Sequence, residues 1–229
     1  MVKPNSMFCG TLIIIILFFV TPIFASDSGE SNKANGFLDF NYYYDSRDFN
    51  VLTVNALGNI TDRTQYFSLT NYFNSIGTSK NLDKASFYSE QNVRWLAVQK
   101  KFPTDLTIQW VIKSAENNDL LRFGFRFRVS SFDWFKSISQ SLNLFYSANF
   151  HLIQIDTIEG FNWQIEHIYK ITPDFLGKRF YIGGFADHTF SSGKSNLVTE
   201  HQLGFRTIGQ FYLVAEYRYN GFLQTKKSG

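Results

Sequence analysis

An all-β chain folded as an antiparallel, up-and-down transmembrane β-barrel is the fold class the sequence predicts, and three observations carry it. The chain opens with an apolar segment of export type. It is 18% aromatic, with 26 Phe and 12 Tyr, at a slightly negative mean hydropathy of −0.16. Its apolar residues alternate with polar ones over stretches of about ten residues, the length and period of a membrane-crossing strand.

At the N-terminus, Lys3 precedes an apolar run from Leu12 to Val20, which is followed by Thr21-Pro22-Ile23-Phe24-Ala25. A weakly basic start, a short apolar core and a small-residue end describe a secretory signal peptide at 1–25, cleaved after Ala25. The run is shorter than the ~20 residues a helical span requires, and no later run approaches that length. Cys9, the single cysteine, lies before the apolar core and would leave with it. The exported chain is then free of cysteine, which excludes a disulfide-stapled fold and a Cys-ligated metal. Residues 26–35 read as a flexible lead, and 36–229 as one barrel domain. A formal charge of +3, from 22 Lys and Arg against 19 Asp and Glu, excludes a nucleic-acid partner.

The first five strands are expected at Phe37 to Ser46, Phe49 to Gly58, Gln65 to Asn74, Phe87 to Gln99 and Leu106 to Ser114. The pattern is clearest next, where Leu121, Phe123, Phe125, Phe127 and Val129 alternate with Arg122, Gly124, Arg126 and Arg128. A helix would scatter those arginines around its cylinder, whereas a strand puts them on one face opposite a continuous apolar one. The alternation returns at Leu142 to Leu152, at Phe161 to Lys170, and at Phe211 to Asn220. Weaker versions cover Arg179 to Phe190 and Leu197 to Arg206.

These are eleven candidates, and single-chain bacterial barrels have even strand numbers. The expectation is therefore twelve strands with the last one absent or displaced after Phe222-Leu223, or ten if one weak segment is not a strand. Short links at Thr61-Asp62-Arg63, Phe102-Pro103-Thr104-Asp105 and Thr207-Ile208-Gly209 are assigned to one end, the periplasmic side. Polar links at Ser75 to Lys84, Ala115 to Asp119, Asp156 to Gly160 and Ser191 to Asn196 are assigned to the outer side. Ser130 to Gln140 and Thr172 to Lys178 are long for periplasmic turns, and their Phe and Trp residues suit an interface.

A soluble barrel or sandwich would show the same alternation with its apolar faces inward. The volume of Phe, Tyr, Trp and Leu on one face of nearly every strand is too large for such an interior, and a small soluble core has no room for Arg122, Arg126 and Arg128. The polar faces therefore line a lumen and the aromatic faces meet lipid. The lumen-lining residues are Arg94, Lys113, Arg122, Arg126, Arg128, Glu166, Glu200, Arg206, Glu216 and Arg218, with Glu90 beside them. One reading is an internal network that closes the barrel. The other is a narrow passive channel, whose surplus arginine forks suit carboxylate or phosphate groups on small solutes.

No metal motif or phosphate loop is present, Gly183-Gly184 reads as a strand interior, and no cofactor is implied. His188 near Ser191 and Ser192, and His201 beside Glu200, raise a lipid-modifying enzyme as the alternative. Residues three apart on a strand face opposite ways, which speaks against a His188–Ser191 pair and for a non-enzymatic barrel. The expected partners are outer-membrane lipid, lipopolysaccharide and a small polar solute, with the chain acting as a monomer.

The aromatic opening strand Phe37-Leu38-Asp39-Phe40-Asn41-Tyr42-Tyr43-Tyr44 and the closing Val214-Ala215-Glu216-Tyr217-Arg218-Tyr219-Asn220, at this length, resemble the nucleoside-specific, Tsx-like channels of Gram-negative outer membranes. The resemblance implies a monomeric twelve-stranded barrel and facilitated diffusion of nucleosides. It transfers no individual binding residue, and this chain departs from it in being shorter and without a terminal aromatic strand.

Overall fold

The computed structural model describes residues 18–20, 36–45, 49–75, 86–114, 119–155, 162–191 and 194–221. The structure is all-β. Its strands are β1 (Phe18–Val20), β2 (Gly36–Asp45), β3 (Phe49–Asn59), β4 (Thr64–Ser75), β5 (Ser86–Val98), β6 (Thr104–Lys113), β7 (Leu120–Phe127), β8 (Leu144–Ile155), β9 (Asn162–Ile171), β10 (Phe180–Ser191), β11 (Lys194–Arg206) and β12 (Tyr212–Asn220). All lie in one sheet in chain order, each antiparallel to its sequence neighbours. Among the described residues one α-helix, α1 (Lys136–Ser141), sits in the link from β7 to β8. No described helix is long and apolar enough to cross a membrane, which bears only on helices.

Among the described residues eleven full-length strands of 8 to 13 residues, β2 to β12, build this sheet, so the expected twelve is corrected. β1 is a three-residue segment inside the run read as an export signal, and it pairs Phe18 with Phe40 and Val20 with Leu38. The expected closure is not found either: among the described residues no ladder joins β12 to β2. Direction explains why. Antiparallel pairing at every step from β2 to β12 leaves those two strands running the same way, so an all-antiparallel barrel closes only through one more strand of opposite direction. The segment β1 has that direction.

The sheet is nonetheless rolled. The Gln202 amide on β11 lies 3.5 Å from the Tyr43 hydroxyl on β2, near the opposite edge. Arg126 on β7 reaches Gln65 on β4 at 3.2 Å, past two intervening strands.

Strand starts fall close to the expected ones, and the exceptions have local causes. Leu142 and Asn143 do not open β8, because Leu142 caps α1 and Asn143 takes the left-handed conformation at φ 45°, which Asn tolerates. Within β8, Phe123 pairs with Ile153 but Gly124 pairs with His151, so Leu152 is an extra residue and the alternation slips there. Gly124 is required at this bulge, since a Cβ would stand 1.7 Å from the Phe150 carbonyl oxygen.

Strand direction also sorts the links. Those spanning 60–63, 99–103, 128–143, 172–179 and 207–211 share one end, which unites the two long links with the three short ones. The Thr61 hydroxyl closes the first turn by accepting from the amide of Thr64 at 3.0 Å. The second long link is pinned to the first by Asn143 Nδ2 donating to Asp174 at 2.6 Å. At the other end, β10 and β11 pair from Ser191 and Lys194, so the link expected over Ser191 to Asn196 shrinks to two residues. The other three links expected there lie largely outside the described residues.

Candidate functional site: the polar inner face

Register places the expected lumen residues on one face of the sheet, the face that rolls inward. Asp105, Gln109 and Arg126 are buried there, as are Arg94, Asn149, His151 and Gln164. Each alternates with outward Leu, Ile, Trp, Phe or Tyr.

The densest cluster centres on Asp105 of β6. Its Oδ2 accepts from Arg126 Nε at 2.6 Å and Arg128 Nε at 3.0 Å, and its Oδ1 accepts from Arg128 Nη2 at 2.7 Å. The Gln65 carbonyl oxygen accepts from Arg126 at 3.2 Å and from Arg94 at 3.3 Å. The Arg94 guanidinium also lies 5.0 Å above the Phe67 ring, a favourable placement for a weakly hydrated cation. One carboxylate and one amide oxygen thus organise three guanidiniums, which would otherwise repel one another.

A second cluster is built on Arg122. Its Nε donates to Gln154 and its Nη1 to Gln109, both at 2.9 Å, and Gln109 donates on to Glu90 at 3.3 Å. The Tyr88 hydroxyl also donates to Glu90. Next to it, Asn149 donates to Glu166, while His151 Nε2 stays 3.8 Å from that carboxylate, too far for a hydrogen bond.

The third cluster belongs to the last strands. Arg218 Nη1 meets Glu200 at 3.4 Å, and Gln202 donates to Glu216 at 3.0 Å. Beside it the inner face turns apolar, where Tyr43, Val51 and Val214 pack with Phe73, Tyr181 and Tyr212. Of the ten expected residues, Arg94, Arg126, Arg128 and Glu166 are gathered on the wall β5 to β9 with Arg122, while Glu200, Glu216 and Arg218 form the cluster by β12. Lys113 and Arg206 occupy the inner register at strand ends.

The sequence pattern does not single out Asp105, because it sits at the edge of the proline-containing link Phe102-Pro103-Thr104-Asp105, which reads as a turn. It also passes over Asp39, Asp187 and Lys170, which the register puts on the same face. Their alternation with apolar neighbours was the available signal. Together they cancel most of the arginine surplus. Among the described residues, buried side-chain atoms of this face without a hydrogen-bond partner include Asn92 Nδ2, Thr107 Oγ1, Ser147 Oγ, Asn149 Oδ1 and Asp187 Oδ1.

The two histidines considered for catalysis face outward. His188 packs against Phe190 with ring centroids 4.1 Å apart, and His201 Nδ1 shares a 2.8 Å hydrogen bond with the Tyr169 hydroxyl. Among the described residues no group of three or more His, Cys, Asp or Glu is arranged to hold a metal. No protein family, no curated protein and no solved structure matches the chain.

Proposed function

We propose that this protein is an outer-membrane β-barrel, exported by its N-terminal segment, whose polar inner face forms a narrow passage for small polar solutes, nucleosides among them. The observation that supports this reading is inverted burial. Arg94, Asp105, Gln109, Arg126, Asn149 and His151 are buried, while Leu106, Ile108, Trp110, Ile153, Ile182 and Leu213 are exposed. Full burial of such a side chain is worth roughly 1.5–3 kcal/mol, and water would forfeit about half of that at each of these half-exposed residues, whereas lipid would favour them. A rolled sheet with a charged interior and an apolar exterior suits a bilayer.

The inner face offers a solute both signs of charge, fixed amide groups and the unpartnered atoms of Asn92, Thr107 and Ser147. A second reading, a barrel closed by its own side chains, is favoured by the complete shielding of Asp105 and the 1% exposure of His151. Liposome swelling with the full chain separates the two. The channel reading expects swelling with small sugars and nucleosides and none with large oligosaccharides. If the folded chain shows no swelling, and Asp105→Ala/Arg126→Ala creates it, the barrel is closed and the channel reading fails.

A further inference from the structure

We infer that the end of the barrel carrying the five described links is a membrane-docking ring, which seats itself in the headgroup layer of an anionic bilayer. This rests on the membrane reading above and adds a ligand, anionic phospholipid, and the surface that takes it.

The links at this end project large apolar side chains where polar ones are the rule. Ile60, Phe102, Trp134, Phe175 and Ile208 come from five successive hairpins, one each. Phe175 is 86% exposed and Ile208 74%, against 56% for Ile155, the most exposed large apolar residue among the described strand side chains. Water-filled surroundings would disfavour each of them.

The apolar surface of the wall runs onto this end without a break. Phe125 meets Phe127 at 5.0 Å, Phe127 meets Phe132 at 6.1 Å, and Phe132 meets both Phe102 at 5.3 Å and Trp134 at 6.3 Å, between ring centroids. Whatever apolar phase covers the wall therefore extends over the link from β7 to β8.

Cations are interleaved with the apolar tips. Arg63, Lys100, Lys101, Lys136, Lys178 and Arg179 stand in these links against Asp62, Asp133 and Asp174. Asp174 is already engaged, 3.4 Å from Lys178 and hydrogen-bonded to Asn143. Apolar tips with long cationic side chains beside them match the boundary between acyl chains and anionic headgroups. Because every hairpin contributes a tip, the surface follows the perimeter of the sheet, which fits a plane surrounding the barrel better than the face of one protein partner.

The test uses the full chain refolded into phosphatidylcholine vesicles with and without phosphatidylglycerol, in two single-tryptophan versions that keep Trp134 or Trp110, with the other tryptophans changed to Phe. Folding is checked by heat-dependent gel mobility. Trp134 is expected to be quenched by lipids brominated near the headgroup and to be shielded severalfold from aqueous acrylamide, with more shielding when phosphatidylglycerol is present. Lys100→Glu/Lys101→Glu should remove the phosphatidylglycerol dependence. The unaltered chain supplies an independent readout, slower tryptic cutting at Lys100, Lys101 and Lys178 in the anionic vesicles. If Trp110 is quenched by brominated lipid while Trp134 is quenched by acrylamide as freely as in water, the docking ring is wrong and the membrane reading stands. If neither tryptophan senses lipid, both fall. Shielding of Trp134 only after a soluble protein is added would replace the bilayer by a protein partner.

Discussion

Arg126 Nε donates to Asp105 Oδ2 across 2.6 Å, and the Asp105 side chain is fully shielded while Arg128 holds its other oxygen at 2.7 Å. Two guanidiniums, Arg126 on β7 and Arg128 just after it, thereby depend on one carboxylate of β6 for compensation. Asp105→Ala leaves Arg126 buried without its counter-ion, and removing one partner of a buried pair costs about 3–5 kcal/mol. The expected result is a large fall in the urea midpoint at which the heat-modifiable band is lost. Asp105→Leu/Arg126→Met should recover much of it. Equal stability of Asp105→Ala and the unaltered chain would show that the network contributes nothing.

Gly124 stands where the β8 bulge brings the Phe150 carbonyl close. A Cβ at 1.7 Å from that oxygen has to move backbone, so Gly124→Ala is expected to destabilise by roughly 1–3 kcal/mol or more, as overpacking does. Gly58, with open space around its Cβ position, is the internal control, and Gly58→Ala should be close to neutral. The same urea titration compares the two.

The outer wall separates the membrane reading from a soluble one. Ile108, exposed at mid-strand on β6, should tolerate Arg at little cost in water, whereas Arg at the bilayer midplane costs about 2–4 kcal/mol. We expect Ile108→Arg to reduce folding into vesicles markedly while Ile60→Arg, in a link, does so far less. Indifference to Ile108→Arg would place that face in water.

Cleavage after Ala25 would remove Phe18–Val20 from the edge of β2, where they pair with Leu38–Phe40. The intact mass of protein extracted from outer membranes decides which holds. A chain beginning at Ser26 is expected from the signal peptide. A chain that keeps residues 1–25 would make β1 part of the folded barrel and supply the direction that β2 and β12 lack.

The strands were legible because their period is local. Arg122, Arg126 and Arg128 alternate with Phe123, Phe125 and Phe127 within a single segment, and the pleat turns that spacing into two faces. The same pattern assigned Arg94, Glu166, Glu200 and Arg218 to one side of the sheet. Turn chemistry was legible for the same reason at Thr61 and Gly209, whose side-chain oxygen and positive φ act within a few residues.

What the sequence by itself determined is therefore the all-β character, the near positions of eleven strands and the inward side of Arg94, Arg122, Arg126, Glu166, Glu200 and Arg218, but not of Asp39, Asp105, Lys170 or Asp187. Only the tertiary structure decided which charges pair, because Asp105 lies 21 residues from Arg126 and meets it through the ladder of β6 with β7, and Gln65 lies 61 residues from it. It also decided the slip at Leu152, the gathering of five links at one end, and the parallel run of β2 and β12 that leaves the ladder open among the described residues. Alternation is a property of one strand, while pairing, curvature and closure depend on register between strands far apart in the chain, and no local pattern encodes that distance.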